Sequence, residues 1–270
     1  MEILGYIGAI IMGLSLGLIG GGGSILTVPI LVYLFVIDPV LATAYSLFIV
    51  GLTSLVGSFS HMRFGNIHWR TAIVFGIPSI LAVYATRAWL VPAIPDPIFT
   101  LGSTPVSKAI GILIFFALIM VAAAYSMIRK PKAPMGPNAP ADEAIKFNYP
   151  LILAEGVVVG MITGIVGAGG GFLIIPALVL LAKLPMKKAV GTSLIIIAAK
   201  SLIGFTGDLK GEEIIDWNFL FLFSAIAIGG IIGGSILSKH IPNEKLKPAF
   251  GWFVLAMGVY IIGRELIHLS

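Results

Sequence analysis

The chain has 270 residues, 58% of them hydrophobic and only 11% charged, where a soluble domain carries about 25% charged residues. It has no cysteine, which excludes disulfides, thiolate metal sites and thiol catalysis. The net charge of +5 is not a nucleic-acid signal, because the basic residues sit in short loops between apolar runs long enough to cross a bilayer.

These runs predict a polytopic, all-α membrane protein. An outer-membrane barrel would alternate apolar and polar residues along short strands, and no such pattern occurs. In chain order, the first run covers about 3–20 and is read as a retained helix, since it lacks a basic n-region and a small-residue cleavage site. Gly20, Gly21, Gly22, Gly23 and Ser24 then interrupt it. A short run follows at about 24–37, with Pro29 inside it, and longer ones cover about 40–60, 70–91 and 105–128. The segment "RKPKAPMGPNAPADEAIK" is rich in proline and charge and reads as a linker. After it, runs are expected at about 149–167, 171–182, 187–206, 217–238 and 247–267.

The second set repeats the first. Shifting the chain by 147 positions places Gly13, Gly17, Gly20, Gly22 and Gly23 on Gly160, Gly164, Gly167, Gly169 and Gly170, and Pro29 on Pro176. Ser46 then meets Ser193, and after one residue of slippage Trp69 meets Trp217. The expected organisation is a first transmembrane repeat at 1–130, a cytoplasmic linker at 131–147 and a second repeat at 148–270, each with five helical elements. Elements 2 and 7 are too short to cross a bilayer comfortably and are expected to be short or re-entrant.

Loop charge predicts the orientation. If elements 1 and 2 together return to the starting side, most basic residues share one face: Arg63, Arg70, the linker bases, Lys183, Lys187, Lys188, Lys239, Lys245 and Lys247. Arg87, Lys108, Lys210 and Arg264 fall on the other. The positive-inside rule then puts both termini outside and the linker in the cytoplasm. An odd number of elements per half makes the two repeats inverted in topology.

Inverted repeats with broken helices are typical of secondary transporters. The first turn of a helix leaves N–H groups unpaired and carries partial positive charge, which suits an anion. The runs Gly20–Ser24 and Gly167, Ala168, Gly169, Gly170 and Gly171 are therefore expected to lead into half-helices whose N-termini face a shared anion site. The competing reading is helix packing, which also accounts for the G-x-x-x-G spacings at Gly13/Gly17 and Gly160/Gly164. Lys200, inside an apolar run, either faces the cavity as an anion partner or snorkels to the interface toward Asp208. Tyr45, Ser46, Thr192 and Ser193 are candidate hydroxyl donors to the anion, or helix-to-helix hydrogen bonders. Glu155 is a candidate proton-coupling carboxylate or an interfacial one. His61, Arg63 and His68 read as a cytoplasmic loop, or as part of a gate.

No Walker or dinucleotide motif is present, and no paired His or Asp in an apolar run supports an intramembrane enzyme. No cofactor or metal is expected.

The paired runs "GLIGGGGSILTVPILV" and "GIVGAGGGFLIIPALV" resemble those of the sulfite exporter TauE/SafE family, also called toluene-sulfonate uptake permeases. The resemblance covers nearly the whole chain. It implies a transporter of small sulfur-containing anions, such as sulfite or organosulfonates like sulfoacetate, in the cytoplasmic membrane. Only the two glycine runs carry over position by position. Ala168 and Gly171 stand where the first run has Gly21 and Ser24, so the two ends are expected to contribute unequally. An anion channel, a permease for another small anion and a membrane scaffold are the other readings. The partners implied are the anion and the lipid bilayer, with a homo-oligomer left open and nucleic acid excluded.

Overall fold

The computed structural model describes residues 2–101, 104–128, 149–180, 184–210, 215–238 and 243–269. The linker 131–147 and several basic loop residues, among them Lys132, Lys146, Lys183 and Lys239, lie outside them.

Among the described residues ten main helices follow the order expected from the apolar runs, with a further 3₁₀ turn at Asp208–Lys210. They are α1 (Glu2–Ile19), α2 (Gly22–Tyr33), α3 (Pro39–Arg63), α4 (Trp69–Ala93) and α5 (Lys108–Ile128), then α6 (Tyr149–Val166), α7 (Gly171–Leu180), α8 (Met186–Thr206), α9 (Trp217–Leu237) and α10 (Asn243–Leu269). Among the described residues six of them, α1, α3, α4, α5, α8 and α9, are long and apolar enough to cross a membrane. One expectation needs amending. An antiparallel hairpin of β1 (Phe99–Leu101) and β2 (Thr104–Val106) joins α4 to α5, pairing Phe99 with Val106. The short stretch carries too few residues for an alternating pattern to stand out.

Local chemistry sets the helix starts. The Asp38 carboxylate accepts from Val40 N at 2.8 Å and Leu41 N at 3.3 Å, and Pro39 opens the helix behind it. His68 Nδ1 accepts from Thr71 N at 3.3 Å to cap α4, and Asp216 Oδ1 accepts from Phe219 N at 3.0 Å to cap α9. Trp69 and Trp217 follow directly and are both exposed, as residues of an interfacial belt would be.

Side-chain size sets how closely the helices pack. A Cβ on Gly5 would strike the Phe35 ring, one on Gly8 would lie 3.1 Å from Ile30 Cδ1, and one on Gly23 would meet the backbone of Met12, Ser15 and Leu16. α2 therefore runs back along α1 as an antiparallel hairpin and reaches almost to its start. On its other face α1 lies parallel to α9: Gly13 sits on Ala227 and Gly230, and Gly17 on Ile231, Gly234 and Ser235. The same arrangement joins α6 to α4. Gly160 sits on Ser79 and Ala82, and Gly164 on Val83 and Thr86. Small residues let these backbones approach closely.

α3 and α8 form the centre and are mostly buried, while α1, α4, α5 and α9 each turn much of their surface outward. The central pair runs antiparallel: Leu47 lies against Gly204, Gly51 against Leu202, and Gly57 against Leu194. α5 and α10 pack together at Gly258, which meets Ala117, Met120 and Val121. Phe116, Met120, Val254 and Ile261 bury between them and the main core.

Candidate functional site

Both glycine runs break the chain, and the breaks meet. Gly20 has φ 83°, and Gly167, Gly169 and Gly170 have φ 72°, 62° and 67°, a region that strongly favours glycine. After the first break the chain resumes at Gly22, as one 3₁₀ stretch to Leu26 before the α-helix Thr27–Tyr33. After the second it resumes at Gly171. The first start falls within its run, slightly ahead of the expected 24, and the second falls at the expected 171. A Cβ on Gly21 would collide with Gly171 Cα, and one on Gly171 with Gly21 Cα. The two runs thus touch backbone to backbone, with Gly20 covered by Val190 and Gly167 by Thr43.

At the second break, Leu173 N and Ile174 N both donate to Gly170 O at 3.0 Å. The amides of Gly171 and Phe172 come before these first bonds of α7, so they are among the donors a helix start leaves over. At the first break the Ser24 hydroxyl turns inward and donates to Gly21 O at 2.7 Å. It closes the turn locally rather than reaching toward the other run.

Lys200 is the charged residue at this junction. It is 0% exposed, so snorkelling to an interface does not describe it. Its Nζ donates to Thr163 Oγ1 at 3.0 Å and would lie 2.7 Å from a Cβ on Gly170. No carboxylate of the described residues pairs with it. Asp208, the partner that a snorkelling lysine would have sought, is instead held by Arg87, with Nη2 at 2.7 Å from Oδ1. Thr163 in turn offers its backbone carbonyl to Gly167 N at 2.8 Å. The lysine, the hydroxyl and the break are therefore one connected unit.

The hydroxyl candidates divide. Tyr45 Oη accepts from Asp216 N at 2.7 Å, and Thr192 Oγ1 accepts from His68 N at 2.9 Å. The two bonds correspond across the halves. Each satisfies the backbone N–H of the residue that caps the following tryptophan-led helix. Ser193 Oγ donates to Val190 O at 2.8 Å. Ser46 Oγ is buried without a partner, which leaves it available to a ligand among this group. Tyr45→Phe and Thr192→Val are each expected to lower the stability of the purified protein by about 1 kcal/mol without changing anion affinity. Denaturation in detergent alongside substrate titration checks this, and a weakened affinity at full stability would return the hydroxyls to the site.

Ala168 is buried between Gly167 and Gly169. Glu155 is half-buried on α6, about two turns before Thr163, and no bond joins it to the other candidates. The sequence reading missed a better-buried carboxylate. Glu265 is 6% exposed and accepts from Tyr33 Oη at 3.1 Å, while the Arg264 guanidinium lies 4.4 Å from the centre of the Tyr33 ring. It also missed Arg87, which was counted as a loop base but is 1% exposed. A lone arginine in a run of spanning length was the available signal. Thr163 gave none, because a threonine in an apolar helix is common. Among the described residues no group of three or more His, Asp or Glu is placed to hold a metal ion.

The model of the sulfite exporter TauE/SafE family matches residues 6–263 of the chain. A "Probable membrane transporter protein" of Xylella fastidiosa (strain 9a5c) is 29% identical over 267 residues, covering 94% of this chain and 92% of its own length. A similarly described protein of Methanocaldococcus jannaschii is 32% identical over 252 residues, covering 88% and 86%. Bacillus subtilis YunE, also described as a probable membrane transporter, is 25% identical over 285 residues and 98% of both chains. No solved structure matches significantly. A broken-helix membrane bundle agrees with these relatives, each described as a probable membrane transporter. The chain is a multi-pass membrane transporter and belongs to the sulfite exporter TauE/SafE family.

Proposed function

We propose that this transporter is a secondary carrier of small sulfur-containing anions, working by alternating access around the meeting point of the two glycine breaks. The observation that carries the reading is Lys200: an ammonium buried to 0% exposure, with Thr163 Oγ1 its acceptor at 3.0 Å, beside the N-terminus of α7. An ammonium has three donors, and a charge in a low-dielectric interior is costly unless paired. A bound oxyanion supplies the missing charge and acceptors. The amides of Gly171 and Phe172 and the Ser46 hydroxyl complete its shell. The restriction to sulfur oxyanions and sulfonates rests on the family's description alone.

The reading includes two inverted repeats, 1–130 and 148–270. Its support is that matching elements α3 and α8 run antiparallel. In addition, the contacts of Gly13, Gly17 and Gly20 recur at Gly160, Gly164 and Gly167 with the halves exchanged. It also includes a cytoplasmic-membrane location with both termini outside and the linker 131–147 inside. In support, the Arg63–Arg70 segment and the start of α8 share one end of the bundle: Asn66 O would meet a Cβ on Gly191. The His68 pKa is held below its ordinary value first by burial, then by the charges of Lys188 and Arg70. Bases gathered at one end fit the positive-inside rule.

Flux into proteoliposomes and thermal shift over sulfite, thiosulfate, sulfoacetate, taurine and sulfate test the proposal. Saturable uptake is expected for at least one oxyanion or sulfonate, with stabilisation of about 2.7 kcal/mol at a hundredfold excess over Kd. Saturable flux of none of them overturns the substrate class. Unsaturable flux that follows the membrane potential would make the protein a channel.

A further inference from the structure

We propose that Arg87 and Asp208 form a gate on the side of the junction where α4 ends, and that it opens when an incoming anion takes the Arg87 guanidinium from Asp208. The proposal rests on the anion-carrier reading above for the identity of what passes.

The geometry is a clamp on three elements. Arg87 lies in the π-helical stretch Thr86–Leu90 within α4, an irregularity often found at functional positions. Its Nε donates to Asp208 Oδ2 at 2.8 Å, and its Nη2 lies 2.7 Å from Oδ1. Its Nη1 donates to Thr43 Oγ1 at 2.9 Å and to Gly164 O at 3.2 Å. One guanidinium thus ties the start of α3, the end of α6 and the segment after α8. Thr43 packs directly on Gly167, so the clamp is a single side chain away from the second break. The Asp208 side chain is 17% exposed while that of Arg87 is 0%. The carboxylate is the face of the pair that meets the outside.

Simple bracing would give the same ion pair, and the repeat argues against it. The positions matching Asp208, Arg87, Thr43 and Gly164 in the other half are His61, Ser235, Val190 and Gly17. The surrounding packing recurs there: Val190 covers Gly20 as Thr43 covers Gly167, and Gly17 sits on α9 as Gly164 sits on α4. The ion pair does not recur. His61 Nδ1 and Ser235 Oγ are buried without partners instead. Helix packing at such a junction therefore does not require a salt bridge, and apolar substitutes for a buried pair are generally no less stable. What an arginine–carboxylate pair, hydrogen-bonded through Nε with Nη2 close by, adds is a reversible, anion-shaped contact. The carboxylate is a tethered anion that a free one can replace.

The chain contains no cysteine, so one introduced thiol reports the gate. Ser46 lies one turn beyond Thr43 along α3, is 0% exposed, and its Oγ bonds to nothing. Ser46→Cys is to be labelled in sealed proteoliposomes with a membrane-impermeant maleimide added from either side. In the parent, labelling from the Asp208 side should be slow. Adding Asp208→Asn, which removes the charge at nearly constant shape, should raise that rate about tenfold or more and leave labelling from the opposite side unchanged. Asp208→Glu should stay protected. If Asp208→Asn does not yield folded protein, Arg87→Gln breaks the same pair from its other end and must give the same sided increase. Equal labelling with and without the pair, or an increase from both sides, overturns the gate. The label needs no transported anion. A protein that moves none of the tested anions would lose the carrier reading and still report the gate, and a working carrier with unchanged labelling would lose only the gate.

Discussion

In proteoliposomes, Lys200→Met lowers the affinity for the transported anion by about 10- to 100-fold, the loss expected from about 1.5–3 kcal/mol of charged hydrogen bonding. The protein without substrate becomes no less stable, and melts higher if anything. The two effects have one cause. The ammonium is fully buried with a single neutral acceptor, Thr163 Oγ1, and a lysine at the centre of a spanning helix costs about 2.5–3.5 kcal/mol on insertion scales. Methionine has a similar length and no charge to desolvate, so it removes the cost together with the anion's partner. Uptake kinetics and melting curves on the same preparations check both halves. Unchanged kinetics would take Lys200 out of the site, and a large loss of stability would make it a structural residue that the Thr163 bond suffices to hold.

Alanine at Gly21 or at Gly171 should abolish flux, by about 100-fold or more, with a stability loss of about 1–3 kcal/mol from overpacking. The smallest possible side chain is enough, because a Cβ on either glycine meets the backbone of the other, and backbone cannot swing aside as a flexible side chain can. Either the two breaks separate or the helices carrying them shift, and in both cases the amides of α7 leave Lys200. Gly229→Ala and Gly263→Ala are the controls. Nothing lies within 4 Å of a Cβ at either position, and alanine favours a helix over glycine by about 1 kcal/mol, so both should transport normally and melt at or above the parent temperature. Full activity in Gly21→Ala would show that the contact between the breaks is not part of the transport cycle.

The elements were legible in the sequence because the bilayer makes them so. A spanning helix must be apolar for its whole length, and the breaks stood out because consecutive glycines do not otherwise belong there. The tertiary uses of the polar residues were not legible. Tyr45 and Thr192 are in matching positions, which suggested a shared ligand. They share instead a pair of corresponding backbone N–H groups on Asp216 and His68, and nothing in the spacing tells these apart. Arg87 and Asp208 are far apart in sequence and near the ends of apolar runs, where charges usually face water. Only the folding of α4 onto the end of α8, where Gly204 meets Val83 and Gly207 meets Arg87, brings them together. Glu265 escaped notice for the same reason, since its partner Tyr33 comes from the opposite end of the chain.

The cross-packing of α1 on α9 and of α6 on α4 has a consequence for how such a chain could arise. The first helix of each half finds its close-fitting groove on the fourth helix of the other half. A single ancestral copy of five elements would have had both surfaces unmatched in lipid. On the inverted topology proposed above, it would satisfy them by meeting a twin inserted upside down, which makes a dual-orientation homodimer a natural precursor. On that reading, joining the twins end to end would free each half to diverge, as the arginine present at Arg87 and replaced by Ser235 in the other half illustrates.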